Sequence, residues 1–350
     1  MLDKISILIV TYKGDGLVSN LLSSIAKIDP GNVLEIVVVD NSPSPSTARI
    51  AKAYSNVRYV APPPQASRHS AVSSHVPWLS NPGFAGGNNL GWRYCTREYV
   101  LLLNNNTIVH SVESLTLLVN FMKHHPSCGA VQGTITLPGM NNCLGGLGGY
   151  LTQFGIQIPV ALFTPQEDAH ELAATPARRF SACGAYLMIS RAAVAAAGGF
   201  LFRSFFWCYY EEVDLCHRLW VSGYEVWYLP TPPVEHLMGR TAGKFKHASV
   251  MARYLENQYF SLLTCLEKRS RRRIIPCFIC ILAAYGAYHL FKGNVLLMRA
   301  SWSALMIPWR LRKRILAARR QINRIRRVSD ESILPQIIRK PSLSELLGKL

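Results

Sequence analysis

Three continuous apolar runs, at residues 5–10, 34–39 and 99–103, alternate along the first 135 residues with helix-length segments at about 17–28, 47–54, 87–97 and 112–124. A strand without polar alternation must be covered on both faces, and helical connections are what allow successive strands to lie parallel. The pattern predicts an α/β fold on a doubly wound, mostly parallel sheet, with ligands beyond the C-terminal ends of the strands. Polar residues stand where those ends fall: Thr11-Tyr12, Asp40-Asn41-Ser42 and Asn104-Asn105-Asn106-Thr107.

Two stretches interrupt the rhythm. Residues 61–80 carry Pro62-Pro63-Pro64 and several serines, a loop composition long for a compact domain, and 136–175 is rich in Gly, Asn and Pro. Between them, Asn81-Pro82-Gly83-Phe84-Ala85-Gly86-Gly87-Asn88 offers backbone amides at a helix start, suited to a diphosphate nest or to tight packing.

The densest chemistry lies further on. A chain with 20 acidic and 38 basic residues places Glu211, Glu212 and Asp214 within four positions, directly after the aromatic-rich run Phe205-Phe206-Trp207-Cys208-Tyr209-Tyr210. A helix starting near Glu211 would hold these acids in its first turn, where free N–H groups and the helix dipole favour anions. At that spacing Glu211 and Asp214 share a face and Glu212 addresses another. Crowded carboxylates against aromatic walls are the setting in which one acid gains proton affinity and serves as a general base. Helix capping plus an Asp214–Arg218 ion pair, four residues apart, is the plainer use of the same residues.

The formal net charge of +18 implies an anionic partner, and much of it sits in Lys268–Arg273 and in 310–327. No recognised nucleic-acid-binding motif accompanies these arginines, so nucleic acid is not expected. Nine cysteines, odd in number and mostly in apolar segments, read as reduced core thiols; Cys277 and Cys280 have redox spacing but no second ligand pair. Residues 274–291 and 295–309 are two apolar pieces with basic outer flanks, the pattern of a hairpin or interfacial pair on an anionic membrane surface. Gly14-Asp15-Gly16 with Asp40 partly imitates a dinucleotide fingerprint, but the third glycine is missing and a dehydrogenase has no use for the acidic cluster.

Taken in order, Val37-Val38-Val39-Asp40-Asn41-Ser42, Asn81 to Asn88, Leu103-Asn104-Asn105-Asn106-Thr107, Cys183-Gly184-Ala185, Gly198-Gly199-Phe200, Tyr210-Glu211-Glu212-Val213-Asp214-Leu215 and His236-Leu237-Met238-Gly239-Arg240-Thr241 resemble the family 2 inverting glycosyltransferases, in particular the bacterial rhamnosyltransferase-like branch. The resemblance covers about residues 4–265 and implies a GT-A type fold, a nucleotide-diphosphate sugar as donor and a glycan or lipid-linked acceptor in surface polysaccharide or glycolipid assembly. Thr11, Tyr12 and Asp40 match the nucleoside-holding positions; Asn81, Gly83, Phe84, Gly87 and Asn88 match the loop beside the sugar nucleotide. Asn104 to Thr107 matches an Asn-Pro-Asp-Thr motif whose Asp binds the divalent metal. That position is Asn106 here, so Mg²⁺ or Mn²⁺ binding should be weak or absent, with His236 as the other ligand.

The same resemblance makes Glu212 the general base, where the family carries Asp, with Glu211 and Asp214 positioning the acceptor or Arg218. Asn104 and Arg240 belong with the donor-binding residues, and a weakly held metal together with His236 and Arg240 would meet the charge of the leaving diphosphate. The domains expected are a catalytic unit at 1–267, with a donor half at 1–110 and an acceptor half at 111–267, then a basic and apolar membrane-associated region at 268–327 and a polar tail at 328–350. The location expected is the cytoplasmic face of the inner membrane. A degenerate relative that binds a nucleotide sugar or glycan without turnover is the competing reading, since Asn106 and the Glu-Glu pair depart from the family pattern.

Overall fold

The structure, a computed structural model, describes residues 1–63, 81–237 and 247–342. Its strands are β1 (Ile5–Thr11), β2 (Glu35–Asp40), β3 (Val57–Val60), β4 (Tyr99–Leu103), β5 (Thr107–Val109), β6 (Cys128–Gln132), β7 (Ile135–Leu137), β8 (Cys143–Leu144), β9 (Gly149–Thr152), β10 (Gln157–Pro159), β11 (Ala177–Arg178), β12 (Tyr186–Ser190), β13 (Glu225–Tyr228), β14 (Val234–His236) and β15 (Ile338–Arg339). The helices are α1 (Asp15–Ile28), α2 (Pro45–Lys52), α3 (Gly83–Trp92), α4 (Val112–His124), α5 (His170–Ala173), α6 (Arg191–Ala196), α7 (Glu211–Val221), α8 (His247–Cys265), α9 (Lys268–Phe291), α10 (Val295–Leu305), α11 (Ile307–Arg310), α12 (Arg312–Ile325) and α13 (Asp330–Ile337).

An eight-stranded sheet in the order β11-β13-β6-β12-β4-β1-β2-β3 forms the spine. Its β3-β2-β1-β4 half is parallel throughout, and β12 enters antiparallel between β4 and β6. Alternate residues of each apolar strand serve opposite cores, as a period of two requires: Leu8, Val37 and Leu102 face one cluster while Ile7, Val38 and Leu101 face the other. The chain order reverses between β1 and β4, the switch point at which doubly wound sheets open a crevice.

The order β5-β14-β7-β8 forms a small second sheet, and its β5–β14 pairing sets His236 opposite Thr107. The expected boundaries at 267/268 and 327/328 divide residues that share one core. Phe278, Leu282, Ile307, Ile322, Ile333 and Ile337 pack in the same cluster as Phe260 of α8. Glu256 of α8 binds Ser303 and Arg310, and Glu267 and Asp330 cap one another's backbone at 2.7 and 2.9 Å. The segment expected as a polar tail returns to the domain, where Ile338 pairs with Leu151 of β9. Its described residues are a docked helix and strand because α13 buries the apolar stripe Ile333 and Ile337.

Candidate active site

Beyond the C-terminal ends of β1 and β4 lies a cavity of about 320 Å³. Thr11 and Tyr12, Asn104, Asn105 and Asn106, and Glu211 and Glu212 at the start of α7 line it together. Asn81, Gly83 and Phe84 border it from the α3 side, and His236 closes the end next to Asn104. Asn105, to which the motif gives no role of its own, donates from Nδ2 to Thr11 Oγ1 at 2.8 Å and fixes the two strand ends to one another.

The aromatic run forms a strap across this cavity. Trp207, Tyr209 and Tyr210 all have positive φ (62, 68 and 73°), a region unfavourable for bulky side chains that persists only where its surroundings enforce it. Asn257 on α8 supplies that enforcement: its Nδ2 donates to the carbonyls of Phe206, Cys208 and Tyr209 at 3.1, 3.3 and 2.7 Å. Trp207 Nε1 donates to the Asn81 carbonyl at 3.0 Å, and the Trp207 carbonyl accepts from Ala85 N–H at 2.9 Å, so the strap ties the Asn81–Phe84 loop to the acidic helix. Gly83 must be glycine, because its φ is +75° and a Cβ would collide with the Trp207 carbonyl. Replacing Asn257 with Ala should leave buried strap carbonyls without a donor and cost about 1–3 kcal/mol of stability, measured by denaturant unfolding; an unchanged midpoint would show that the strap holds itself.

The helix begins at Glu211 as its charge pattern predicts, with Tyr210 as a left-handed cap residue. Glu211 is 4% exposed and its Oε2 has no partner among the described residues. Burial raises its proton affinity well above the usual carboxylate range, and the Glu212 charge raises it further. Glu212 opens onto the cavity but is screened from bulk water by its surroundings. Burial moves its pKa up to about 7, against the pull of its own and the Gly184 backbone N–H groups. Two adjacent carboxyls thereby differ in environment, Glu211 the more deeply buried and Glu212 opening onto the cavity.

Of the uses the sequence leaves open for Asp214, the structure has the ion pair to Arg218. Asp214 is fully buried and does not line the cavity; Arg203 Nε reaches both of its oxygens at 3.1 Å and Arg218 Nε reaches Oδ2 at 2.9 Å. Burial would raise its pKa, but the two guanidiniums win and hold it below the ordinary value. Arg218 goes on to bind the carbonyls of Ala197, Phe200 and Leu201. Asp214 is therefore a structural anion under the strap, and the ion pair four residues along α7 is its use.

Three other expected site residues also stand behind the cavity wall. Asp40 is 1% exposed with its carboxylate filled by Ser42 N–H and Oγ, Ser44 N–H and Tyr59 OH at 2.9–3.2 Å, because the turn after β2 points its donors inward. Asn88 is buried and returns its Nδ2 to the Phe84 carbonyl at 2.9 Å, one turn back along its own helix. Gly87 is a packing glycine: a Cβ there would stand 2.7 Å from Val10 Cγ1 and 2.9 Å from Asn41 Oδ1. Arg240 lies outside the described residues.

The two expected metal ligands make a poor cradle for a divalent ion. Asn106 Nδ2 donates to the Leu237 carbonyl at 2.7 Å, leaving the neutral amide oxygen as its one donor atom. Burial lowers the His236 pKa to about 4, so the imidazole is neutral, and its Nε2 sits 3.3 Å from Asn104 Nδ2. Among the described residues no group of three His, Cys, Asp or Glu side chains stands together. Hard cations ask for several oxygens, preferably anionic ones, which these residues do not provide.

The profile of the family described as glycosyl transferase family 2 matches residues 6–142, the stretch that carries β1 to β7 and the cavity residues Thr11, Asn81 and Asn104–Asn106. Residues 6–142 thus match the family 2 glycosyltransferases. It is 30% identical over 231 residues to the low-salt glycan biosynthesis hexosyltransferase Agl10 of Haloferax volcanii, a match that spans 62% of this chain and 62% of that protein. The match thus takes in less than two thirds of the relative. In three dimensions it is similar to S. aureus TarS 1–349 (TM-score 0.54, 16% identity, 95% of this chain and 92% of that one). It is also similar to GalNAc-T7 solved with UDP, GalNAc and Mn²⁺ (TM-score 0.53, 17% identity, 84% of this chain and 58% of that one). The domain thus has the GT-A glycosyltransferase fold, on a mixed sheet whose parallel half the apolar runs announced.

Proposed function

We propose that the family 2 domain is an active, inverting glycosyltransferase that moves a sugar from a nucleotide diphosphate to a hydroxyl of a glycan or lipid-linked acceptor. The observation that carries the reading is one cavity lined by the Glu211/Glu212 pair, by Asn104–Asn106 and by the Asn81–Phe84 loop. Glycan biosynthesis by Agl10, and the UDP and GalNAc held by GalNAc-T7, support the substrate class.

In this reading Glu212, as carboxylate, accepts the proton of the acceptor hydroxyl while that oxygen bonds to the anomeric carbon. The anomeric bond to the diphosphate breaks on the opposite face, and the nucleotide diphosphate departs with the electron pair. One displacement inverts the anomeric centre. Glu211, buried beside Glu212 with its proton affinity raised, is placed to hold a sugar hydroxyl. The Asn104 and Asn105 amides, and the neutral His236, supply dipoles on the leaving-group side.

Because Glu212 works deprotonated, turnover under saturating donor should climb with pH through about 7 and flatten above it. A pH–rate profile checks this, and a rate flat from acidic to alkaline pH would remove Glu212 as base.

A divalent ion, when bound, would neutralise charge on the diphosphate, and Asn106 with His236 are the residues nearest to that task. Since both are neutral, transfer should persist at a reduced rate after chelation, and Asn106→Asp should lower the Mg²⁺ or Mn²⁺ concentration needed for half-maximal stimulation by about tenfold or more. Titrating metal into chelator-treated protein measures it; complete loss on chelation with recovery at micromolar metal would contradict the weak site. Asn106 also favours one second reading, a domain that binds nucleotide sugars without turnover. Binding without transfer across a donor panel would establish that reading.

A further inference from the structure

We infer that the outer surface of the α9–α12 hairpin is a docking face for an anionic lipid bilayer, on which the chain lies without crossing it. The inference stands apart from the catalytic reading, because it uses none of the residues of the cavity.

Charge comes first. Residues 268–327 hold sixteen of the chain's 38 Lys and Arg and no Asp or Glu. An unbroken excess of this size is attracted to an anionic surface. Arg312, Lys313 and Arg320 on α12 are exposed, and no acidic side chain within this segment offsets them.

Apolar surface comes second. α9 has a mean hydropathy of 1.9 over its apolar window, yet only 28% of that window is buried. Its inner stripe, Ile274, Phe278, Leu282 and Tyr285, packs on the catalytic core. Its outer side is also apolar, with Ile279, Ala283, Ala287 and Leu290 exposed. A helix apolar on all sides is normally covered on all sides. At the end of the hairpin Phe291 is 89% exposed, Leu296 56%, Trp302 64% and Trp309 71%. On α10 Val295, Arg299 and Trp302, spaced four and three apart, lie opposite the buried Leu297, Ala300, Ser301 and Ala304. Two exposed tryptophans among arginines are what an interfacial surface presents, rings at headgroup depth and cations on phosphate.

The packing decides how the face meets lipid. Ser301 Oγ donates to the Leu282 carbonyl at 2.9 Å, holding α10 against α9, and Arg310 and Ser303 are fastened to Glu256 of α8. Driving α9 across a bilayer would strip its inner stripe from the core. Lying on the surface keeps every one of these contacts and covers only the exposed side.

Co-sedimentation of the full chain with phosphatidylcholine vesicles, with and without phosphatidylglycerol, tests the proposal. Binding is expected only with the anionic lipid, with partial release in high salt and full release by alkaline carbonate. Each cation at the surface is worth roughly fivefold in partitioning, so Arg312→Gln, Lys313→Gln and Arg320→Gln together should weaken binding by about 100-fold. Trp302→Ser with Trp309→Ser should abolish the salt-resistant fraction. All five positions are exposed, and circular dichroism of each variant checks that it folds. Hydrogen exchange of the unmodified chain gives a second readout, with protection on vesicles expected in 288–316. Equal binding to neutral vesicles, no binding at all, or retention after carbonate would overturn surface docking. A doubled mass in lipid-free sedimentation equilibrium, reverting to monomer in the tryptophan variant, would instead make this face a contact between copies of the chain.

Discussion

Glu212→Gln is expected to lower the rate of sugar transfer by at least 10²–10⁴-fold, the usual contribution of general-base catalysis, with donor affinity little changed. The amide keeps the size of the side chain and its place beside Gly184, so the cavity is preserved while the proton acceptor is lost. Stability should move the other way. Glu212 has a folded pKa raised to about 7 from the ordinary 4.5, so what its protonated form adds to stability is fully present below about 4.5 and is lost as pH rises through 7. At pH 8 wild type must hold a screened carboxylate that the variant lacks. The variant should therefore melt at the same temperature as wild type or higher, a stability cost that an active-site base commonly carries. Near wild-type turnover in Glu212→Gln would exclude it as the base; a collapse in melting temperature would assign it a structural role instead.

The second large effect is on stability. Asp214→Ala is expected to cost about 3–5 kcal/mol, because it leaves two buried guanidiniums, Arg203 and Arg218, without their shared counter-charge. Denaturant unfolding monitored by tryptophan fluorescence gives the number. The sign of the pH dependence follows from the depressed pKa: Asp214 contributes stability above its unfolded value of 3.8 that is lost as pH falls through the folded one. The variant should therefore be less sensitive to acid than wild type. A change below about 1 kcal/mol would show that the network has no net structural weight.

The elements that sequence made legible are those whose signal is local. The run at 99–103 is β4 to the residue, 112–124 is α4 to the residue, and the start of α7 at Glu211 follows from three acids seeking helix N–H groups. Helix α3 begins at Gly83, four residues before the expected 87, because a glycine at positive φ lets the chain turn into the helix early. What escaped was long-range. The Arg203 partner of Asp214 is eleven residues away and the Asn257 clamp on Tyr209 is 48 away, and periodicity carries no information about such pairings. The resemblance makes Asp40 and Asn88 ligand contacts, whereas Asp40 accepts from Ser42, Ser44 and Tyr59 and Asn88 donates to the Phe84 carbonyl. The aromatic run was half core and half site: Phe206 and Tyr210 are buried, while Trp207, Cys208 and Tyr209 border the cavity.

The central claim, a single displacement driven by Glu212, is tested most directly by the anomeric configuration of the product. Wild-type protein would be incubated at pH 8 with a panel of nucleotide-diphosphate sugars and a glycan or lipid-linked acceptor, and the glycoside formed examined by NMR. The account predicts a glycoside of configuration opposite to the donor's, formed by wild type and not by Glu212→Gln. A product of retained configuration, or one formed equally well by the variant, would contradict it.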